Sequence, residues 1–201
     1  GLGGMNQVAL IPLLAWVAAL TCWGIALARG PRPLPRSFVL DRALRDVFIF
    51  PLGLLGLWAF VGHVMFPVRA AEAIGWPPSP FQFEVGYANL GIGLASYYAA
   101  FTTFYARVAV AIAASCFLVG AGMGHVHDIM AYENLTPGNA GPILVTGFLT
   151  PVVVLTLLIA SSRRAKSQPK SPDSDALDAE IEVARDAMRT YREALDRFVK
   201  G

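Results

Sequence analysis

Long apolar runs separated by short polar connections make up the chain as far as Ala160. A bilayer core about 30 Å thick requires roughly 20 apolar residues in a helix that crosses it. Membrane β-strands would instead alternate apolar and polar residues over about ten positions, and these runs do not alternate. The pattern predicts an all-α integral membrane bundle of five transmembrane helices, at residues 8–28, 47–67, 85–104, 108–126 and 142–160.

The segments outside the predicted spans divide the chain further. Residues 1–4 precede the first methionine and are interpreted as a cloning remnant, which leaves a transmembrane domain at residues 5–162. A proline-rich piece after the first span cannot be helical, and residues 37–46 then form a short interfacial helix with Asp46 on its polar side. Residues 163–172 are a Ser/Pro/Lys linker, and residues 173–200 are a charged helix.

The C-terminal helix carries apolar residues at a spacing that alternates between four and three, which is typical of a heptad seam. One interpretation is a coiled coil that joins copies of the chain in a homo-oligomer or binds a partner helix. The other is an amphipathic helix on the inner membrane surface. A helix of this length is marginal alone in water, so it is predicted to pack on something. The seam consists of Leu177, Ile181, Ala184, Met188, Tyr191, Leu195 and Phe198.

Composition narrows the functional classes. Hydrophobic residues make up 55% of the chain and charged residues 15%, against about a quarter charged in soluble domains. A net charge of +2, without a basic stripe, does not indicate nucleic-acid binding. The sequence has no GxSxG, no P-loop and no dinucleotide fingerprint, so no catalytic residue is assigned and an enzyme is not favoured.

Lysine and arginine are unevenly distributed among the predicted connections. The second connection has Arg69 alone and the fourth has none. The third connection holds Arg107, and the first connection and the start of the tail are rich in them, with Arg29, Arg32, Arg36, Arg42 and Arg45 in the former and Arg163, Arg164, Lys166 and Lys170 in the latter. Basic loops stay on the cytoplasmic side. With five spans this rule places the N-terminus outside and the C-terminal helix in the cytoplasm.

Polar side chains at the predicted span ends gather at the outer membrane level. Ionisable groups within a span are costly there and usually functional. Three of them lie at outer ends: His63 in the second span, Glu84 in the third and His125 in the fourth. Asn89 lies deeper in the third span, and Asn139 lies in the last outer loop. These five residues predict an outer-facing pocket that binds or moves a small ligand, an ion or a proton.

Small residues indicate which helix faces approach closely. Ala88, Gly91 and Ala95 share a face with Glu84, and Gly120 and Gly124 form a small-xxx-small pair before His125. Close packing along these faces is expected to bring Glu84 and His125 into one pocket.

Two other interpretations of these residues stand beside the pocket. A metal site would use His63, Glu84 and His125 with either His127 or Asp128, although no short-spacing motif such as HExxH is present. In the structural interpretation, Glu84 complements the dipole of the helix that it begins, and the histidines bind loop carbonyls.

One stretch resembles an uncharacterised prokaryotic family of small multi-pass membrane proteins. The resemblance covers residues 45–160 and rests on Ile-Gly-Trp-Pro-Pro-Ser-Pro-Phe-Gln-Phe-Glu-Val-Gly-Tyr-Ala-Asn-Leu at residues 74–90, two Gly-His pairs and Pro-Gly-Asn-Ala-Gly at residues 137–141. It implies a protein of the prokaryotic cytoplasmic membrane. It also implies that His63, Glu84, Asn89, His125 and Asn139 occupy signature positions of the family.

The sequence favours a binding or transport-related membrane protein assembled through its C-terminal helix. An accessory or scaffold subunit that anchors a partner complex at the membrane is the first alternative. A membrane-embedded metalloenzyme is the second.

Overall fold

A computed structural model of the chain describes residues 7–165 and 172–200, and side-chain environments for most of them. The structure separates into two compact units, Gly1–Ser162 and Arg163–Gly201. Residues 1–4 and the central part of the predicted linker lie outside the described residues. Within them every regular element is helical, which confirms the all-α class.

The helices of the first unit follow the predicted apolar runs but extend further at several ends. Two π-helical segments, Phe48–Leu54 and Val61–Met65, flank the short α-helix Leu55–Phe60. The α-helices in chain order are α1 (Gln7–Arg29), α2 (Arg36–Val47), α3 (Leu55–Phe60), α4 (Pro67–Ile74), α5 (Phe81–Ala100), α6 (Phe104–Tyr132), α7 (Pro137–Ala140), α8 (Pro142–Ala165) and α9 (Pro172–Lys200).

Four helical stretches are long and apolar enough to cross a membrane, namely Leu10–Arg29, Arg36–Met65, Phe104–Tyr132 and Pro137–Ser162. Helix α5, the third predicted span, has 20 residues. It does not reach the same apolarity because its first half carries Gln82, Glu84 and Asn89. The membrane-protein class is therefore supported, and the five-span count stays a prediction.

The predicted interfacial helix and the second span form one continuous helical stretch, Arg36–Met65. Pro51 lies inside it, where its missing N–H and its ring disturb the regular hydrogen-bond ladder. The wider π-helical turn around Pro51 accommodates this disturbance. Asp46, expected on a polar surface, is only 3% exposed, so that expectation is wrong: the end of α2 packs into the bundle, where Asp46 is buried together with its neighbours Val47 and Phe48.

The core lies where α2 and the following π-helical segment meet α5, α6 and α8. Phe48 is fully buried, in one cluster with Leu44 and Leu52. Small residues of α5 and α6 and two aliphatic residues of α8 complete the cluster, namely Ala99, Ala100, Ala111, Ala114, Val154 and Leu158. The alanines leave room for the Phe48 ring and let the helices approach closely.

The side chain of Arg107 fastens the end of α5 near this core. Its guanidinium donates to the carbonyl oxygens of Ala99 and Ala100 at 3.1 and 3.0 Å, and to Asp41 Oδ1 at 2.6 Å. The last carbonyls of a helix have no partner within the helix, and a cation there is doubly favourable. From the sequence Arg107 is only a basic residue of the third connection, whereas in the structure its side chain is buried.

The closely packed face of α5 is not the predicted one. Gly91, Gly120 and Gly124 have open space where a Cβ would project, so the expected approach through them is wrong. A Cβ at Gly56 of α3 would instead lie 2.9 Å from the carbonyl oxygen of Asn89 and 3.0 Å from Gly93 Cα. Glycines lie on both faces of α5, so only the tertiary packing determines which face contacts a neighbouring helix.

This backbone contact generates a prediction. We expect Gly56→Ala to lower the free energy of unfolding by about 2 kcal/mol, since the added methyl meets backbone atoms that cannot rotate away. Gly62→Ala, on the same helical stretch with open space around it, is the matched control and is expected to be neutral or stabilising. Thermal unfolding of both purified variants measures the difference, and equal melting temperatures would contradict the packing.

Candidate functional site

The residues that meet at one end of the bundle come from α6, from α7 and from the loops that follow α4 and α6. We call them the His125 network: Trp76, His125, Asp128, Asn134, Thr136 and Asn139. Backbone reversals after two helices bring them together. Gly75 ends α4 with a left-handed φ of 81°, and Glu133 ends α6 with a φ of 54°.

The reversal after α6 places the following loop on the end of α4. Asn134 Nδ2 and Thr136 Oγ1 donate to the carbonyl oxygen of Ile74 at 2.9 and 2.6 Å, which satisfies a helix-terminal acceptor. A Cβ at Gly75 would lie 2.8 Å from both Asn134 Oδ1 and Thr136 Oγ1. Glycine is therefore required there for its conformation and for space.

A second glycine permits an even closer approach. A Cβ at Gly138 of α7 would collide with the carbonyl oxygen of Ala73 in α4. Helix α7 thus rests directly on the backbone of α4. This contact fixes the position of Asn139 along the axis of α6. The Asn139 side chain is 0% exposed.

The central interaction joins His125 Nδ1 and Asn139 Oδ1 at 2.6 Å. The other amide atom of this asparagine, Nδ2, donates to the carbonyl oxygen of Asn134 at 2.8 Å. Because Nδ2 is the amide's donor, Oδ1 is an acceptor and His125 Nδ1 must carry the proton. In the neutral ring the lone pair then lies on Nε2, so this hydrogen bond fixes the tautomer.

Trp76 covers one face of the His125 ring. The two ring centroids lie 5.3 Å apart with an interplanar angle of 22°. The indole is held by its N–H, which donates to Asp128 Oδ2 at 2.8 Å, and Asn134 Nδ2 donates to the same oxygen at 2.5 Å. His125 is consequently fixed by a hydrogen bond in its plane and by an aromatic ring on its face, and is 9% exposed.

Only two of the five predicted pocket residues are joined here, His125 and Asn139. His63 Nδ1 instead lies 3.2 Å from Gln82 Oε1. Asn89 is buried, and its amide donates to the carbonyl oxygen of Val85 in its own helix at 2.8 Å. Glu84 is exposed, and its carboxylate makes no hydrogen bond or ion pair with any residue that the structure describes.

The candidate metal ligands are not gathered either. In residues 7–165 and 172–200, no group of three or more His, Cys, Asp or Glu side chains could hold a metal ion. Asp128 binds Trp76 and Asn134, while His63 faces Gln82. His127 is exposed, with its ring edge-on to Tyr132 at 6.2 Å.

Sequence reasoning missed three members of the network. Trp76 lies within the signature-like stretch at residues 74–90, and Thr136 directly precedes the one at residues 137–141, but neither was predicted to line the pocket. Asn134 carried no signal of its own beyond its position just after a helix. A polar residue that follows a helix end and precedes a proline turn often bonds the backbone locally. That rule would have drawn attention to Asn134 and Thr136, but not to their partner Ile74.

The apolar helices and this buried histidine define the class: an all-α, multi-pass membrane protein with a polar network at one end of its bundle. The chain belongs to a family of unknown function (DUF6790), whose profile matches residues 9–167. The match agrees with the resemblance to an uncharacterised family noted from the sequence. Comparison with curated proteins and with solved structures gave no match.

Proposed function

We propose that the protein is a five-span protein of the prokaryotic cytoplasmic membrane that binds a small hydrogen-bond-donating ligand, or a proton, at an outer-facing site. His125 is the binding residue. The observation that carries the proposal is the tautomer fixed by Asn139, because it leaves the Nε2 lone pair free for an incoming donor.

The five-span topology rests on α5. Its 20 residues span about 30 Å at 1.5 Å per residue, the thickness of a bilayer core. The buried amide of Asn89 bonds within the helix, and α3 packs closely on the same face. With α5 as the third span, the arginine-rich connections lie on the cytoplasmic side and the His125 network on the outer side.

The surroundings of His125 restrict the ligand. Its Nε2 makes no hydrogen bond with any residue in the described part of the chain, although its Nδ1 does. An imidazole lone pair accepts a hydrogen bond from an N–H or O–H group, or takes up a proton. The carboxylate of Asp128 in the same network favours a neutral or cationic ligand over an anion.

The remaining pocket residues have supporting roles in this proposal. His63 ends the second span and Glu84 begins the third, so both lie at the same membrane level as His125 in the five-span topology. Exposed Glu84 attracts cations to that surface. Asn89 is a packing residue that lets α5 stay buried against α3.

Trp76 reports directly on the site because it stacks on His125. We expect its fluorescence to fall when the pH outside sealed, right-side-out vesicles is lowered and the stacked imidazole takes up a proton. An imidazolium against an indole face quenches its emission. The Trp76 signal is the difference between the wild type and Trp76→Phe, with the inner pH clamped by buffer.

Two histidine variants make this test specific. His125→Gln should abolish the response, whereas His127→Gln, an exposed neighbour in the same helix, should keep it. The same signal can then be used to screen small amines and alcohols. A response that survives in His125→Gln, or that follows the inner pH, would refute the proposed outer-facing site.

A second candidate function, an accessory subunit that assembles through α9, is favoured by one observation. The seam residues Ile181, Met188, Tyr191, Leu195 and Phe198 are all exposed on this helix, and Ala184 is exposed as well. Leu177 lies outside the residues whose side chains are described. An apolar heptad row on a charged helix is stabilised when a second helix covers it, either from another copy or from a partner protein.

The seam predicts a change in oligomeric state. We expect Met188→Asp to dissociate the purified protein into smaller species, because a carboxylate within a coiled-coil seam is desolvated. Val183→Asp is the matched control: Val183 is equally exposed on α9 but lies off the seam. Light scattering during size-exclusion chromatography in detergent measures both masses. An unchanged mass for Met188→Asp, or an equal loss for the control, would count against the coiled coil.

A further inference from the structure

A groove between α6 and α8 lies outside the His125 network. Its volume is about 520 Å³, and it is lined by Met123, Val126, His127, Met130, Ala131 and Phe148. His125 does not line it, because 100° per residue places this side chain on the opposite face of α6 from its neighbours at positions 123 and 127. The groove therefore has its own chemistry.

Three potential metal ligands follow one another along the floor of the groove. Met123, His127 and Met130 are spaced i, i+4 and i+7, which puts them on one face of α6. At 1.5 Å per residue the outer two α-carbons are about 10 Å apart along the axis, with the histidine between them. Methionine is long and unbranched, so both sulfurs can turn toward the imidazole.

Burial in the protein core does not explain these methionines. Met123 is 63% exposed and Met130 is 81% exposed. Neither contributes to the core cluster formed by α2, α5, α6 and α8. An exposed imidazole between two thioethers combines three donors that are available to an external ion.

The character of the donors selects the ion. Thioethers and imidazole are soft or borderline ligands that suit Cu(I), whereas Mg²⁺ and Ca²⁺ require carboxylate or carbonyl oxygens. The groove lining contains no Asp or Glu side chain. Thioethers carry no proton to lose, so binding needs only a neutral imidazole.

We propose that Met123, His127 and Met130 form a binding site for a soft monovalent metal ion, Cu(I), on the face of α6 that lines this groove. The site is independent of the proposed function of His125. It shares only His127 with the metal-ligand candidates that the sequence suggested, and adds two methionines that were not among them. The apolar walls contributed by Val126 and Phe148 reduce the access of water to the bound ion.

The proposal is tested with the full chain in detergent under anaerobic conditions, titrated against a chromophoric Cu(I) chelator. The wild type is expected to withdraw about one Cu(I) per chain from the chelator. The double variant Met123→Leu/Met130→Leu should bind at least about tenfold more weakly, since losing even an outer-shell partner costs that much in a metal site. Ag(I), a redox-inert soft ion, should likewise bind the wild type more tightly than the double variant.

A matched control uses a methionine elsewhere. Met65 is exposed to nearly the same degree as Met123, so Met65→Leu should bind Cu(I) like the wild type. Circular dichroism verifies that each variant is folded, and leucine conserves the volume of methionine. The site is refuted if the wild type fails to compete with the chelator, or if Met123→Leu/Met130→Leu keeps the wild-type affinity.

Discussion

The hydrogen bond from His125 Nδ1 to Asn139 Oδ1 is the interaction on which the polar end of this bundle depends. It joins α6 to α7 just before α8 begins, and it orients an amide whose nitrogen already binds the Asn134 carbonyl. In an environment of low polarity a hydrogen bond is strong and an unpaired donor is costly. The other four residues of the His125 network hold these two side chains in place.

The same principle explains how polar residues are accommodated elsewhere in the first unit. Arg107 is satisfied by two carbonyls at the end of α5 and by Asp41. Asn89 bonds within its own helix, where glycines allow α3 to pack against its backbone. Arg107 and Asn89 therefore each stabilise a helix end or a helix contact. His125 differs from these two in keeping one ring nitrogen without a partner in the described residues.

Apolar run length predicted most of the helices, because bilayer thickness and helical rise leave few alternatives. The same reasoning placed His125 and Asn139 in one site, since charged or polar groups at span ends converge wherever the spans are antiparallel. It did not find Trp76 or Asn134. Their partners lie about 50 to 60 positions away in the chain, and such pairings depend on how the loops fold.

The prediction of which helix faces pack together failed for a different physical reason. Small residues occur on both sides of α5 and α6, so spacing alone could not distinguish Gly93, which contacts α3, from Gly91, which faces open space. Glu84 was linked to His125 through that choice of face. Asp46 was misplaced because a boundary was drawn between the interfacial helix and the second span, whereas one helical stretch runs from Arg36 to Met65 and continues through Pro51 by a π-helical turn.

The most direct test of this account is the tautomer of His125. Solid-state ¹⁵N NMR of histidine-labelled protein in lipid bilayers, with His125→Gln to assign its signals, locates the ring proton under conditions in which the ring is neutral. The account predicts a proton on Nδ1 and a lone pair on Nε2. A proton on Nε2 would contradict it, because Asn139 would then not orient the ring and no acceptor would be presented to a ligand.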